Sequence, residues 1–138
     1  MNAAHLANLH AQSGLALRSW SSTEYDALLG DPAVIISGDE HGFAIGHFVL
    51  DEAELRMIVI APDQRGRGRG RIILNQFEAM AQAKGVTSIF LEVGESNQAA
   101  RALYLGSGYQ EIGNRANYYK RTDGKAENAL ILKKIFSE

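Results

Sequence analysis

The sequence predicts a single α/β domain over residues 1–138, with a mixed, mostly antiparallel sheet that holds one parallel strand pair in its middle and is flanked by helices. Three observations predict it. Short apolar segments at 33–37, 43–50 and 53–60, separated by turn residues, read as consecutive strands. The third runs into an arginine- and glycine-rich stretch and a helical pattern, after which a second apolar segment, 86–93, follows; strand, helix, strand is the order of a parallel crossover. After one more helix, 109–119 and 127–136 flank Thr122-Asp123-Gly124-Lys125 and read as a closing hairpin.

In chain order, Leu6 and Leu9 share one register of a short helix over 3–12, broken at Ser13-Gly14. Ser21 and Glu24 form a capping box for a second helix that runs to about Leu29, where Gly30 and Pro32 stop it. Gly38-Asp39-Glu40-His41-Gly42 and Asp51-Glu52 are turns between the first strands. The crossover helix starts near Ile72, carries Ile73, Phe77 and Met80 as its apolar stripe, and ends at Lys84-Gly85. Segment 86–93 is apolar enough for a strand covered on both faces. Ser96 or Asn97 caps the last helix, which ends in Gly106-Ser107-Gly108.

Composition narrows the function. A 138-residue chain with 46% hydrophobic and 22% charged residues has the makeup of one globular domain with a real core. Its net charge of −2 provides no global field for nucleic acid or an acidic membrane, so any basic patch acts locally. There is no cysteine, which excludes disulfides and thiolate chemistry. His5, His10, His41 and His47 lack metal-ligand spacing, so no metal is expected, and His5 and His10 are expected on an exposed helix face. No leader or membrane-spanning run is recognisable, and a cytoplasmic protein is expected.

The stretch Gln64-Arg65-Gly66-Arg67-Gly68-Arg69-Gly70-Arg71 lies between a strand and a helix start. Backbone N–H groups of a first helical turn have no intrahelical partner, the helix dipole adds positive potential, and glycines admit a ligand to the main chain. The expected ligand is a polyanion with a pyrophosphate-like group. The spacing is neither that of a dinucleotide fingerprint, since Arg71 or Ile73 stands where the last glycine belongs, nor that of a Walker loop. An Arg/Gly-rich RNA-binding tract would be longer and flanked by disorder.

Arg65-x-x-Gly68-x-Gly70 instead resembles the acetyl-coenzyme A pyrophosphate loop of the GCN5-related N-acetyltransferases. Further along, Glu92 interrupts an apolar strand, where a carboxylate is costly unless it is hydrogen-bonded or faces a cleft; a strand-end glutamate turned to solvent would look the same. Asn97, Arg101 and Tyr104 share one face of the following helix, where a cap and a core aromatic are the plainer readings. Taken together, Leu91-Glu92-Val93, Asn97, Ala100, Leu103-Tyr104, Gly108-Tyr109, Arg115-Ala116-Asn117-Tyr118-Tyr119 and Asp123-Gly124 resemble the bacterial ribosomal-protein-alanine N-acetyltransferases, the RimI group. The resemblance runs from about Trp20 to Phe136.

That resemblance implies acetyl-coenzyme A as cosubstrate and the N-terminal alanine of ribosomal protein bS18 as acceptor, with direct transfer in a ternary complex. It places Glu92 as proton acceptor and Tyr104 as proton donor. Ile58, Val59 and Ile60, Arg65, Gly66, Arg67, Gly68, Arg69, Gly70 and Arg71, and Asn97 become coenzyme contacts, and Tyr118 and Tyr119 candidates for the acceptor-peptide site. The two central strands are expected to splay, with a backbone N–H near 58–60 holding the oxyanion. The chain departs from the group in opening on a helix rather than a strand, in having Ser19-Trp20 for Pro-Trp, and in the apolar strand end Met57-Ile58-Val59-Ile60-Ala61. The sheet edge left by that first strand is a candidate contact for a partner. A small-molecule amine acetyltransferase on the same fold, and a non-catalytic acyl-coenzyme A-binding module, are the rival readings.

Overall fold

Asn2 starts the first helix, its side chain accepting the backbone N–H of His5 at 2.9 Å, and α1 (Ala3–Gln12) follows. The computed structural model describes residues 2–12, 20–120 and 126–136, with 118–120 as backbone only. The expected break at Ser13-Gly14 and the turn at 122–125 lie outside the described residues. Helix α2 (Ser22–Leu29) opens on the reciprocal bonds of its capping box, Glu24 N–H to Ser21 Oγ at 3.2 Å and Ser21 N–H to Glu24 Oε1 at 3.1 Å, and Gly30 closes it.

Strands β1 (Val34–Asp39), β2 (Gly42–Val49), β3 (Glu52–Ile60), β4 (Ser88–Gly94), β5 (Gln110–Lys120) and β6 (Ala126–Ile135) make one sheet in the order β1-β2-β3-β4-β6-β5. Only β3 and β4 run parallel, joined by helix α3 (Arg69–Ala83); α4 (Gln98–Gly106) leads from β4 to β5. The closing hairpin enters the sheet through its second strand, so that β6 rather than β5 lies beside β4. Among the described residues, no helix is long and apolar enough to cross a membrane.

Helix α3 begins earlier than its apolar pattern suggests, at Arg69, because Gly68 takes the N-cap position and the charged residues after it form the first turn. Its buried face is Ile73, Leu74, Phe77, Glu78 and Ala81, while Met80, expected in the stripe, is 39% exposed. A helix lying flat on a sheet buries pairs such as 73/74 and 77/78, a wider band than one row of i, i+4, i+7 positions.

The sheet is covered by helices on both faces, with separate cores. One gathers Ala53, Leu55, Ile89, Leu91, Val93, Leu130 and Leu132 with α3 and with Tyr104 and Tyr109. The other gathers Leu6, Leu9, Tyr25, Phe43, Ile45 and Val59 under α1 and α2. His10, expected at the surface, belongs to this second core and is only 1% exposed. Its Nδ1 accepts the N–H of Trp20 at 3.0 Å and lies 3.0 Å from the hydroxyl of Tyr25, so the imidazole serves as a polar tie between α1 and α2. Burial, with Glu24 adding to it, pushes the Tyr25 phenol far above its ordinary range and keeps it neutral.

Beneath α3, Glu78 accepts the Tyr109 hydroxyl at 2.9 Å and the Lys134 ammonium at 2.9 Å. This joins the crossover helix to the start of β5 and to β6. Burial first, and the Glu78 charge next, push the Tyr109 phenol far up, so it stays a donor at every physiological pH. Replacing Glu78 by Ala orphans both donors, and urea denaturation is expected to show a loss on the order of 3 kcal/mol.

Candidate active site

The parallel ladder between β3 and β4 is short. It runs Glu52↔Ser88, Ala53↔Ile89, Glu54↔Phe90, Leu55↔Leu91 and stops, although β3 continues to Ile60 and β4 to Gly94. The strands part where β3 carries a bulge: β2 pairs Gly46 with Leu55 and Ile45 with Met57, leaving Arg56 as the extra residue. A bulge bends its strand and raises the local twist. It also exchanges the faces, since Ala53 and Leu55 pack under α3 whereas beyond it Ile58 and Ile60 do so and Val59 turns to the other core.

The parting opens a groove of about 860 Å³. One wall is Arg56 to Ile60 of β3, the other Glu92, Val93 and Gly94 of β4 with Asn97, Ala100, Leu103 and Tyr104 of α4. The loop Gln64 to Arg71 closes one end. Of the residues the sequence singles out, Ile58, Val59, Ile60, Arg65, Gly66, Gly68, Arg69, Gly70, Arg71, Glu92, Asn97 and Tyr104 therefore meet around one cavity. Arg67 is exposed and stands off its wall.

Gly66 and Gly68 have φ of +76° and +75°, a backbone that side chains rarely adopt, and a Cβ on either would meet no atom within 4 Å, so both present main chain to open space. Gly70 serves packing instead: a Cβ there would sit 3.2 Å from Leu103 Cδ2, so its absence lets α3 and α4 close on each other at the head of the groove. The arginines divide likewise. Arg69 donates from Nε to Gln64 Oε1 at 2.8 Å and lies 3.7 Å from Asp39. Arg71 donates from Nη2 to the carbonyl of Gly106 at 2.7 Å, pinning the C-terminus of α4 to the first turn of α3.

Asn97 caps α4, accepting Ala100 N–H at 3.2 Å, and the helix carries Tyr104 into the groove with only 6% of its surface exposed. Its ring packs edge-on to Tyr109 at 5.8 Å. Arg101, on the same sequence-defined face, turns away to the carbonyl of Glu95 at 2.9 Å. Segment 86–93 is not equally covered on both sides: Ile89, Leu91 and Val93 are buried, while Phe90 and Glu92 are partly open. Glu92 has a side-chain exposure of 19% and an ion pair with Arg115 Nε at 3.4 Å.

Two groove residues went unread in the sequence. Arg56 lies in a run of strand-forming residues, and only the bulge exposes it. Glu127, 8% exposed, accepts Ser96 N–H at 3.2 Å and ties the β4–α4 loop to β6. Its strand parity was the available signal: 127, 129 and 131 share a face with Glu92, the cross-strand partner of Ile131. The acceptor candidates Tyr118 and Tyr119 fall in β5, where pairing with β6 is irregular between Arg115 and Tyr119; their side chains lie outside the described residues. Within that stretch Asn117 has φ +54° and donates its N–H to Asn128 Oδ1 at 3.1 Å. Among the described residues, no three His, Asp or Glu side chains are grouped to hold a metal ion.

The model of the acetyltransferase (GNAT) family matches residues 10–109. The chain belongs to this family. It is 44% identical over 91 residues to the [ribosomal protein bS18]-alanine N-acetyltransferase of Haemophilus influenzae, covering 66% of this chain and 62% of that one. With the enzyme of the same name from Escherichia coli K12 it shares 43% over 96 residues, covering 70% and 64%. The matched chain thus spans a little under two thirds of the length of either relative. The crystal structure of the ribosomal-protein-S18-alanine N-acetyltransferase from Escherichia coli superposes with a TM-score of 0.86 at 31% identity, over 99% of this chain and 88% of that one.

The Arg71 contact is structural within this site. Arg71→Ala is expected to lower stability by roughly 1 kcal/mol in urea denaturation, the loss of one charge-assisted hydrogen bond at an exposed position.

Proposed function

We propose that the protein is an N-acetyltransferase that moves the acetyl group of acetyl-coenzyme A to the α-amine of a peptide, with the N-terminal alanine of ribosomal protein bS18 as the foremost acceptor. The observation that carries this reading is the parting of β3 from β4 beyond Leu55 and Leu91, which gathers the phosphate-binding loop, an exposed strand edge, Glu92 and Tyr104 around one groove. The relatives' activity supports the acceptor.

The groove suits the cosubstrate. Its volume falls within the range of about 300–1,000 Å³ usual for ligand sites. The first turn of α3, with Gly66 and Gly68 opening the main chain, takes the pyrophosphate, and Arg65 and Arg69 add charge there. The β3 edge from Ile58 to Ile60, which β4 no longer pairs, receives the pantetheine amides as an added strand. Gly94 and Asn97 border the same space from the other strand and the α4 cap.

Chemistry follows from the two polar side chains on the opposite wall. An acceptor α-amine has a reference pKa near ~8, so a fraction of it is protonated at neutral pH. Glu92 takes that proton, directly or through a water, and the amine nitrogen forms its bond to the thioester carbon. An N–H of β3 near 58–60 holds the developing oxyanion. As the C–S bond breaks, the sulfur leaves with the electron pair and Tyr104 gives it a proton, and the surplus proton on the new amide nitrogen passes to the phenolate, directly or through a water, restoring Tyr104. Arg115, paired with Glu92, orients the carboxylate, and Tyr118 and Tyr119 are the candidates for the acceptor end.

Mass spectrometry of a peptide carrying the bS18 N-terminus, incubated with acetyl-coenzyme A beside a panel of free amines, tests the reading; failure to acetylate the peptide while free amines react would replace the acceptor. Glu92→Gln is expected to lower kcat/KM about tenfold at pH 7, where only about a tenth of the amine is free, with activity recovering as pH rises past ~8 and the free amine becomes the main form. Tyr104→Phe should lower kcat with coenzyme affinity unchanged in calorimetry. Arg69→Gln should weaken coenzyme A binding more than Arg67→Gln, since only Arg69 lies on the groove wall.

A further inference from the structure

At the mouth of the groove a cation stands across from Glu92. The last rung of the parallel ladder is Leu55↔Leu91, so the next residues on the two strands are Arg56 and Glu92. Leu55 and Leu91 both point into the core under α3. Glu92 therefore points to the opposite face, by strand alternation. Arg56 shares that face, because the bulge adds it on the side of Met57 and its guanidinium lies 5.4 Å above the ring of Trp20, a member of the core beneath α1 and α2. Both residues line the groove. At the end of a ladder the strands are about 4.8 Å apart, so Arg56 and Glu92 leave neighbouring strands on the same face of the sheet.

Each is held from behind. Arg115 backs Glu92. Trp20 backs Arg56, whose guanidinium carbon lies over the indole ring, a cation–π contact that involves the ring face and not a hydrogen-bond acceptor. Among the described residues, no carboxylate pairs with Arg56. A guanidinium has five N–H donors, so one held this way beside a groove is suited to an oxygen acceptor.

We propose that Arg56 is a specificity residue of the acceptor site, donating to the first carbonyl oxygen of the acceptor while Glu92 receives its amine. The inference rests on the acetyltransferase reading above. A peptide N-terminus or an amino-acid amide has that oxygen two bonds from the carbon that bears the amine, and a simple alkylamine lacks it. A donor held in place beside the amine site adds one charge-assisted hydrogen bond for the acceptor that carries the oxygen and none for the analogue without it.

The test pairs L-alaninamide with isopropylamine, which has a methyl group in place of the carboxamide, and compares Arg56→Met with the unaltered protein within each amine so that amine basicity cancels. The expected result is a rise of about tenfold in KM for alaninamide, the weight of one charge-assisted hydrogen bond, with little change in kcat and no change for isopropylamine. Coenzyme A affinity, read by calorimetry, should be unaltered, and thermal unfolding should show a folded variant. Equal loss with both amines, or no loss with either, overturns the proposal. Binding of alaninamide to the coenzyme A-saturated protein reads the same contact without turnover: a tenfold weaker Kd in the variant supports it, and an unchanged Kd overturns it. Absence of turnover with every amine and peptide would instead count against the acetyltransferase reading, and the binding measurement would still judge Arg56.

Discussion

The rest of the molecule depends on where the β3–β4 ladder stops. Backbone N–H and C=O groups away from bulk water need partners, and leaving one unmatched costs about 1–3 kcal/mol. A central strand that abandons its neighbour halfway along is stable only if the vacated edge faces solvent or a ligand. Here the edge from Arg56 to Ile60 borders the groove. The bulge at Arg56 produces the bend, and β2 continues to pair β3 on its other side as far as Ile60, so the strand is held while one edge is left open.

Holding the groove open requires the surrounding helices to be fixed with respect to each other. Two parts of α3 are secured by different means. Its N-terminus is tied to α4 by the Arg71 bond to the Gly106 carbonyl and by the close approach of Leu103 to Gly70. Its middle is tied to β5 and β6 through Glu78, Tyr109 and Lys134. Loop 94–97, which sets the start of α4, is bound to β6 by Ser96 to the Glu127 carboxylate and by Glu95 N–H to the Asn128 carbonyl at 3.0 Å. Tyr104 is thus positioned by contacts from three separate elements.

Charge is distributed along the groove rather than over the whole molecule. The net charge is −2, yet the loop end collects Arg65, Arg69 and Arg71 while Glu92 and Glu127 lie towards the other end. Arg71 donates to a helix terminus and Arg69 to Gln64, and the main chain of the α3 N-terminus adds positive potential to that of the side chains at the loop. On the face carrying Glu92, Arg115 pairs with the carboxylate and Arg56 lies over Trp20, so both signs of charge occur on that face.

The elements themselves were legible in the chain because their signals are local. The Ser21–Glu24 box, the Asn97 cap and the alternating strands each depend on residues within a turn or two, and so did the spacing that resembles the coenzyme loop. Glu92 could be singled out because a carboxylate in an apolar strand is anomalous wherever that strand lies. His10 was misjudged because an imidazole on a short helix carries no mark of burial until Trp20 and Tyr25 supply its partners. Met80 was assigned inward because periodicity gives a helix its stripe without the angle at which it lies on a sheet. Composition and local pattern alone therefore determined the class of fold, the order of its elements and the residue types available for chemistry. The tertiary structure decided that β6 lies beside β4, that Arg56 is a bulge rather than one more strand residue, and that Glu127 joins the groove, because strand register and cross-strand neighbours are set by pairing between segments distant in sequence.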